Sequence, residues 1–339
     1  MTTMHHPGRT TRRAFLSSAA VLGTAALGRE REQADRKKAL IAITLDLEMS
    51  AEYPRRGLTE WNYQKGNLDD ATKKYAVEAG RIVKERGGVL HYFCVGQVLE
   101  HPSVEWLKEL SAAGHPIGNH TYDHVYVKAN KPDEIQYRFR RAPWLIRGRS
   151  VRDVIVENIR MTTAGLKERA GITVNGFRTP GGFYNGLTDR PDVQKLLLDL
   201  GFTWVSSLYP AHKTGEPKKE PGADVYADIV KAQEKAQPFV YPSGLIEVPM
   251  SPISDVGAFR SNFWKLDYFL KAIRQGVEWA IANGAVFDFL AHPSCLVVED
   301  PKFETIKLIC DLVHRAGDRA ALVGLDTIAR RVEKKRSGG

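Results

Sequence analysis

Two histidines four residues apart, His120 and His124 in the stretch GNHTYDH, are the first residues of this chain whose types and spacing could do chemistry. Taken alone, H-x-x-x-H is more often a solvated or capping pair than a ligand pair. Its likeness to the zincin H-E-x-x-H also fails, because Thr121 stands where the glutamate would be. The pair gains meaning from polar residues that end apolar runs elsewhere: Asp46 and Glu48 in TLDLE, Arg178 in GFRTPGG and His292 in FDFLAH. One carboxylate with two imidazoles leaves coordination positions open on a zinc-like ion, as catalytic sites do and closed structural sites do not. An ion held that way acidifies a bound water. Residues four apart lie on one face of a helical turn, which is how the two rings are expected to meet. Bland readings stand beside these: Arg178 as a surface arginine, Thr179 to Gly182 as a plain turn, and His292 before Pro293 as a strand end.

The elements that would position these residues are legible as short β-rich apolar runs at 39–45, 89–94, 116–118, 173–177, 202–206, 245–248, 286–291 and 321–323. Helix-like stretches lie between most of them, at 70–86, 104–113, 154–170, 191–200, 263–283 and 303–316. Alternating strands and helices argue for parallel βαβ units. Seven or eight such units predict an α/β chain folded as a distorted (β/α)7–8 barrel in a single domain, 39–330. Barrel sites gather at the carboxyl ends of the strands, so Asp46, Glu48, His120, His124, Arg178 and His292 are expected on one face. Three connections are longer than a barrel needs: the one after the first strand, residues 122–152, and the Lys/Pro/Gly-rich 208–222. Each reads equally as a functional loop or as decoration.

Residues 1–28 join a basic start to a short run of small and apolar residues. With Arg12-Arg13 before Phe15 and Leu16, this reads as a twin-arginine signal, or else as a disordered basic tail. The signal reading makes the twin-arginine export machinery a partner and predicts an exported protein, periplasmic or held at the cell envelope. Residues 29–38 read as a polar linker and 331–339 as a basic tail. The net charge of +9 loses three arginines with the signal and stays mildly basic. No Lys/Arg block interleaved with aromatics argues for nucleic acid, and no apolar run is long enough for a comfortable membrane span. Cys94, Cys295 and Cys310 are an odd count; Cys94 and Cys310 fall in apolar patterns and read as core residues.

Taken in chain order, these stretches resemble the NodB-type polysaccharide deacetylases, carbohydrate esterase family 4. TLDLE is similar to the family's T-F-D-D motif, HTYDH to H-[ST]-x-x-H, RTPGG to R-x-P-x-G and LAH to L-x-H, over residues 44–292. The resemblance implies a NodB-type barrel and a divalent metal, zinc first, with cobalt, manganese, iron or nickel as variants. It implies metal ligation by His120 and His124, and Asp46 as the general base acting on the attacking water. Arg178 would hold Asp46 ionised. The backbone N–H near Gly181 would help stabilise the oxyanion, and His292 would protonate the departing amine.

Two departures matter. Leu47 replaces the usual second aspartate, so the carboxylate ligand is Glu48 or none; positions 46 and 48 of an extended segment point to the same side, and Glu48 is assigned as the metal ligand. Where an aspartate usually orients the catalytic histidine, TWVSS offers Trp204 and Ser206, and Trp204 is assigned to the substrate side. Asp288 is a candidate orienter of His292, because 288, 290 and 292 alternate together; a solvated aspartate is the other reading. Tyr53, Trp61 and Tyr63 read as sugar-stacking rings or as packing of a long loop. The favoured function is hydrolysis of N-acetyl, or O-acetyl, groups on a glycan such as peptidoglycan, a chitin-like chain or an exopolysaccharide. The alternatives are an allantoinase-like small-amide hydrolase and an inactive carbohydrate-binding relative. A non-haem iron oxygenase shares the ligand types, but its H-x-D order on an all-β frame does not match.

Overall fold

The computed structural model describes residues 1–2, 38–57 and 65–337. The twin-arginine stretch, nearly all of the linker, Trp61 and Tyr63 lie outside them. Among the described residues nine strands form one curled sheet: β1 Ala39–Leu47, β2 His91–Cys94, β3 Ile117–Asn119, β4 Phe177–Phe183, β5 Trp204–Leu208, β6 Phe239–Val240, β7 Ile246–Glu247, β8 Val286–Ala291 and β9 Ala320–Leu322. Their order is β6-β7-β5-β4-β3-β2-β1-β8, and every pairing is parallel except β6 with β7. One edge of β1 is shared, with β9 against Ala39–Ile41 and β2 against Thr44–Leu47. No ladder joins β7 to β8. Instead Ser251 stitches the gap: its N–H donates to Asp288 O at 2.9 Å and its Oγ accepts from Asp288 N at 3.0 Å. The result is the curled β/α barrel of NodB type that the sequence predicted, in one domain.

The principal helices are α1 Asp70–Glu85, α2 Glu105–Ala112, α3 Val151–Ala170, α4 Pro191–Asp199, α5 Ala223–Gln233, α6 Leu266–Asn283, α7 Pro293–Glu299, α8 Glu304–Ala316 and α9 Leu325–Ser337. Local chemistry sets many of their ends. Asp69 caps α1 by accepting from Thr72 N at 2.7 Å, and Ser150 caps α3 by accepting from Asp153 N at 3.1 Å. Pro191 and Pro293 occupy first turns, where a missing N–H costs nothing. Helix α3 stops at left-handed Gly171, φ 69°, and α6 at Gly284, φ 59°.

Strand alternation sorts the core. On β1, Ile41, Ile43, Leu45 and Leu47 face outward into the cluster built with α1, α6 and α8, while Leu40 and Ala42 face inward. On β8, Phe287, Phe289 and Ala291 face out and Val286 faces in. The bottom of the barrel is filled by Leu40, Ala42, Phe93, Trp204, Ile246 and Val286, closed by Leu325, Ile328 and Ala329 of α9.

The differences from the sequence reading have local causes. Strand β4 begins where the apolar run 173–177 ends and carries the R-T-P-G-G stretch itself, with a register break between Arg178 and Phe183. Elements β6, α5, α7 and α9 were not anticipated: β6 is two residues long, and α7 is seven residues behind a proline. The residues read as a basic tail, 331–339, continue α9 as far as Ser337, because the buried face of that helix is set upstream, at Leu325 to Ala329. All three cysteines are buried and unpaired. Among the described residues no helix is long and apolar enough to cross a membrane.

Gly176 stands at the foot of β4 with φ +80°, and a Cβ there would lie 1.9 Å from the Trp204 ring. Gly176→Ala is therefore expected to destabilise the fold by roughly 3 kcal/mol, combining overpacking with left-handed strain. Urea unfolding checks this; a change below about 1 kcal/mol would mean that the barrel floor yields.

Candidate functional site

Above the apolar floor the interior turns polar. Thr44, Asp46 and Glu48 follow Leu40 and Ala42 on the inward side of β1, and Asp288 follows Val286 on β8. Arg178 of β4, fully buried, spans this layer. Its Nη1 donates to Thr44 Oγ1 at 2.7 Å and Asp46 Oδ1 at 3.1 Å, its Nη2 to Asp288 Oδ2 at 2.5 Å and Ser206 Oγ at 3.2 Å, and its Nε to Ser206 Oγ at 3.3 Å. The guanidinium lies 4.4 Å from the centroid of the Phe93 ring beneath it. Burial pushes the Asp288 carboxyl up to about 6 even against the Arg178 charge.

Glu48, His120 and His124 converge above this layer, with ligand-capable atoms all within 4.8 Å of one another. His120 Nδ1 lies 2.9 Å from Arg178 O; a carbonyl only accepts, so Nδ1 carries the proton and Nε2 of the neutral ring is bare. Burial lowers the His120 pKa and lowers that of His124 to about 4, against the opposing pull of nearby carboxylates. Burial raises the Glu48 pKa, but the pull of a protonated His124 and of the Lys65 ammonium brings it well below the usual value, and where His124 is neutral it is Lys65 that favours the ionised carboxylate. Neutral imidazoles and an ionised carboxylate are the protonation states a divalent cation needs. Glu48 Oε2 is buried without a hydrogen-bond partner, although His124 Nε2 is 2.9 Å away, because the two do not meet in hydrogen-bond geometry. An orphaned carboxylate oxygen beside two imidazole nitrogens fits a divalent cation. Its other oxygen, Oε1, takes the buried Lys65 ammonium at 2.5 Å.

The reason the histidines meet differs from the helical turn expected of them. No helix runs through 120–124; Thr121 and His124 are left-handed, φ 59° and 56°, and the imidazole centroids sit 5.0 Å apart. Side chains hold this loop open: Asn119 Oδ1 accepts from Thr121 N, Thr121 Oγ1 from Val125 N, and Asn158 Oδ1 of α3 from Asp123 N. Positive φ at two non-glycine residues is strain that such bonds must offset.

His292 follows β8 with its Nε2 3.5 Å from Glu48 Oε1. Its orienting carboxylate is Asp255, not Asp288: Nδ1 is 3.1 Å from both Asp255 oxygens, and the backbone N–H of His292 donates to Oδ2 at 2.9 Å. Asp288, two pleats below, is taken up by Arg178 and Thr44. Burial opposes a charge on His292, but Asp255 and Glu48 outweigh it and raise the imidazolium pKa to about 10.

A cavity of about 350 Å³ opens over these groups, lined also by Thr179, Gly181, Gly182, Tyr209, Met250 and Arg260. Gly181 has φ +78°, and a Cβ on Gly182 would lie 2.5 Å from Tyr209 Cβ, so this wall needs glycine. Trp204 does not reach the cavity. It starts β5 at the barrel floor, 6% exposed, edge-on to His91 and Phe93. Tyr53 is buried with its hydroxyl on Glu299 at 2.6 Å, a packing role. Sequence reasoning missed Asp255 and Lys65. Asp255 sits seven residues past the run at 245–248, where the search for strand-end polar residues could have found it; Lys65 lies at the end of a long loop with no pattern to mark it.

The fold and site define a curled β/α barrel of NodB type with a His/His/carboxylate cluster at the strand ends. Residues 67–203, under half of the chain, match the family model described as polysaccharide deacetylase. The matched segment holds His120, His124 and Arg178; Asp46, Glu48, Asp255 and His292 lie outside it and are joined to it by the barrel. The chain is similar in structure to a putative polysaccharide deacetylase from Mycobacterium smegmatis, at 17% identity and TM-score 0.59, over 88% of this chain and 92% of that one. More distant likenesses include a family 4 acetyl xylan esterase from Clostridium thermocellum solved with a cobalt ion (14% identity, TM-score 0.42, 85% and 89% covered). Another is a CE4 family pseudoenzyme from Bacillus anthracis (14%, 0.40, 85% and 63%). No curated protein matches the chain.

Removing the Arg178 charge should expose the dependence of this layer on it. Arg178→Met leaves Asp46 and Asp288 buried without a cation and is expected to cost about 3–5 kcal/mol at neutral pH. The loss has a defined sign with pH. Unpaired carboxyls have folded pKa values above their unfolded ones, so the penalty is small in acid and grows as pH rises through the folded values. Urea midpoints at pH 5 and pH 8 measure it, and an equal loss at both would contradict the assignment.

Proposed function

We propose that this protein is a metal-dependent deacetylase that hydrolyses the N-acetyl group of a glycan outside the cytoplasm. The observation that carries the reading is the arrangement around Glu48, His120 and His124. Asp46 Oδ2 stands 3.7 Å from His120 Nε2 on one side and His292 Nε2 stands 3.5 Å from Glu48 Oε1 on the other, under a single cavity. Export rests on the signal-like residues 1–28.

Glu48, His120 and His124 would hold a divalent ion, zinc by ligand type with cobalt, manganese, iron or nickel as variants, which supplies Lewis acidity to the acyl oxygen and a more acidic water. Asp46 keeps one oxygen on Arg178 and has Oδ2 turned to the cluster, the geometry of a general base. As the water oxygen bonds to the acyl carbon, Asp46 takes its proton, and the Gly181 wall faces the developing oxyanion. His292, charged and fixed through Nδ1 by Asp255, keeps Nε2–H for the nitrogen. The carbon–nitrogen bond then breaks to acetate and a free amine. The cavity lies near the lower end of ligand-pocket volumes, so a small amide is the second reading it supports.

The test is release of acetate and amine from N-acetylated glycans and small amides, allantoin included, by zinc-loaded protein. Asp46→Asn is expected to keep the metal and lose turnover by about 10²–10⁴-fold. His120→Ala is expected to lose metal, measured by elemental analysis, together with activity. Full activity of Asp46→Asn would remove the base assignment, and cleavage of allantoin without acetate would favour the small-amide reading.

A further inference from the structure

The cations around the cavity can be accounted for one by one. Arg178 is taken by Asp46 and Asp288, Lys65 by Glu48, and His292 by Asp255. Arg260 lines the same cavity, and among the described residues it has no carboxylate or hydrogen-bond partner. It is only partly buried, yet it stands where its charge acts on Lys65 and Tyr209. It belongs to one wide helical turn, Val256–Ser261, that begins directly after Asp255, so the residue that orients His292 and Arg260 are carried by the same short backbone segment. Arg56 Nη2 holds that turn by donating to Phe259 O at 3.1 Å, and Asn262 Nδ2 by donating to Gly257 O at 2.5 Å. More positive charge gathers behind it: Arg56 and Lys218 lie 4.2 and 5.2 Å from the Phe263 ring centroid.

We propose that Arg260 anchors a carboxylate on the substrate, so that the acylated compound this site takes is acidic. The inference rests on the deacetylase reading and narrows its substrate class. A guanidinium presents a planar fork that matches a carboxylate bidentately. A neutral glycan would leave that fork unmatched on the wall of a site whose every other cation is paired. The cavity holds about one unit, so the acid lies on the unit that carries the acyl group or on the next. A sugar acid and a small N-acyl amino acid share this chemistry.

The experiment uses the full chain with zinc in the Asp46→Asn background, which binds without turning over. N-acetylmuramic acid and N-acetylaspartate are titrated calorimetrically beside their methyl esters. Expected is about 10- to 100-fold tighter binding of one acid than of its ester, the range of a charged hydrogen-bonded contact. Arg260→Gln should abolish that preference and Arg260→Lys keep part of it, both with an unchanged melting temperature because Arg260 holds no structural partner. Which acid shows the preference identifies the source. Equal affinity for acid and ester, a preference that survives Arg260→Gln, or no binding by any probe overturns the proposal. So does an effect of Arg260→Gln confined to inhibition by acetate, which would make it a product site. Turnover by the native chain separates the two readings: acid preference without hydrolysis sinks the deacetylase and leaves the anchor, while equal hydrolysis of acid and ester does the reverse.

Discussion

A guanidinium buried to 0% exposure must find a partner for each of its donors, and Arg178 does so with five bonds to four side chains on three other strands. Thr44 and Asp46 come from β1, Ser206 from β5 and Asp288 from β8, so one residue ties together opposite sides of a barrel that no ladder closes. The same group separates two environments. Below it the Phe93 ring and the apolar floor exclude water; above it lie ionisable side chains that must keep fixed positions. Its backbone carbonyl, by accepting from His120 Nδ1, also sets which nitrogen of that ring faces the cluster. Fold closure, carboxylate pairing and the His120 tautomer therefore depend on a single side chain and its own peptide group.

Charge pairing extends outward from that layer. The four carboxylates in and beneath the cavity each meet a cation: Asp288 and Asp46 meet Arg178, Glu48 meets Lys65, and Asp255 meets His292. Buried ions cost several kcal/mol each unless paired in good geometry, so the arrangement is sustainable only as a set. Pairing and burial together also sort the three imidazoles. His292 is kept charged by Asp255 and Glu48, whereas His120 and His124 are kept neutral by burial. Three imidazoles in one cavity thus divide into one proton carrier and two electron-pair donors, and the division comes from which atoms each ring can reach.

Much of this was legible in the sequence because the barrel places strand-end residues on one face. Asp46, Glu48, His120, His124, Arg178 and His292 could be gathered from their positions after apolar runs, and all six lie around one centre. What failed were contacts set by loops and pleats. Asp288 shares the inward side of β8 with His292, so alternation alone nominated it, yet it sits too deep, beside Arg178. Asp255 comes from an irregular stretch after β7 whose path no periodicity encodes. Trp204 is on the inward side of β5 but at its first residue, at the floor of the barrel, so side was read correctly and depth was not. The turn bringing His120 to His124 rests on left-handed residues, which no hydrophobic pattern reports.

The departure at Leu47 follows from the same pleat. Leu47 is fully buried on the outward side of β1, in the cluster shared with α1, α6 and α8, so a ligand at that position would have to come from a residue that left this core. Glu48 returns to the inward side after Asp46, as strand alternation requires, and its added methylene compared with aspartate lets it reach His124 from one residue further along. A longer side chain has more rotamers to fix, and Lys65 fixes them by holding Oε1 while Oε2 is left facing the histidines. The D-x-E spacing and the buried lysine are therefore two parts of one solution: the strand delivers a carboxylate at the available pleat, and a cation from the adjoining loop sets which oxygen is presented.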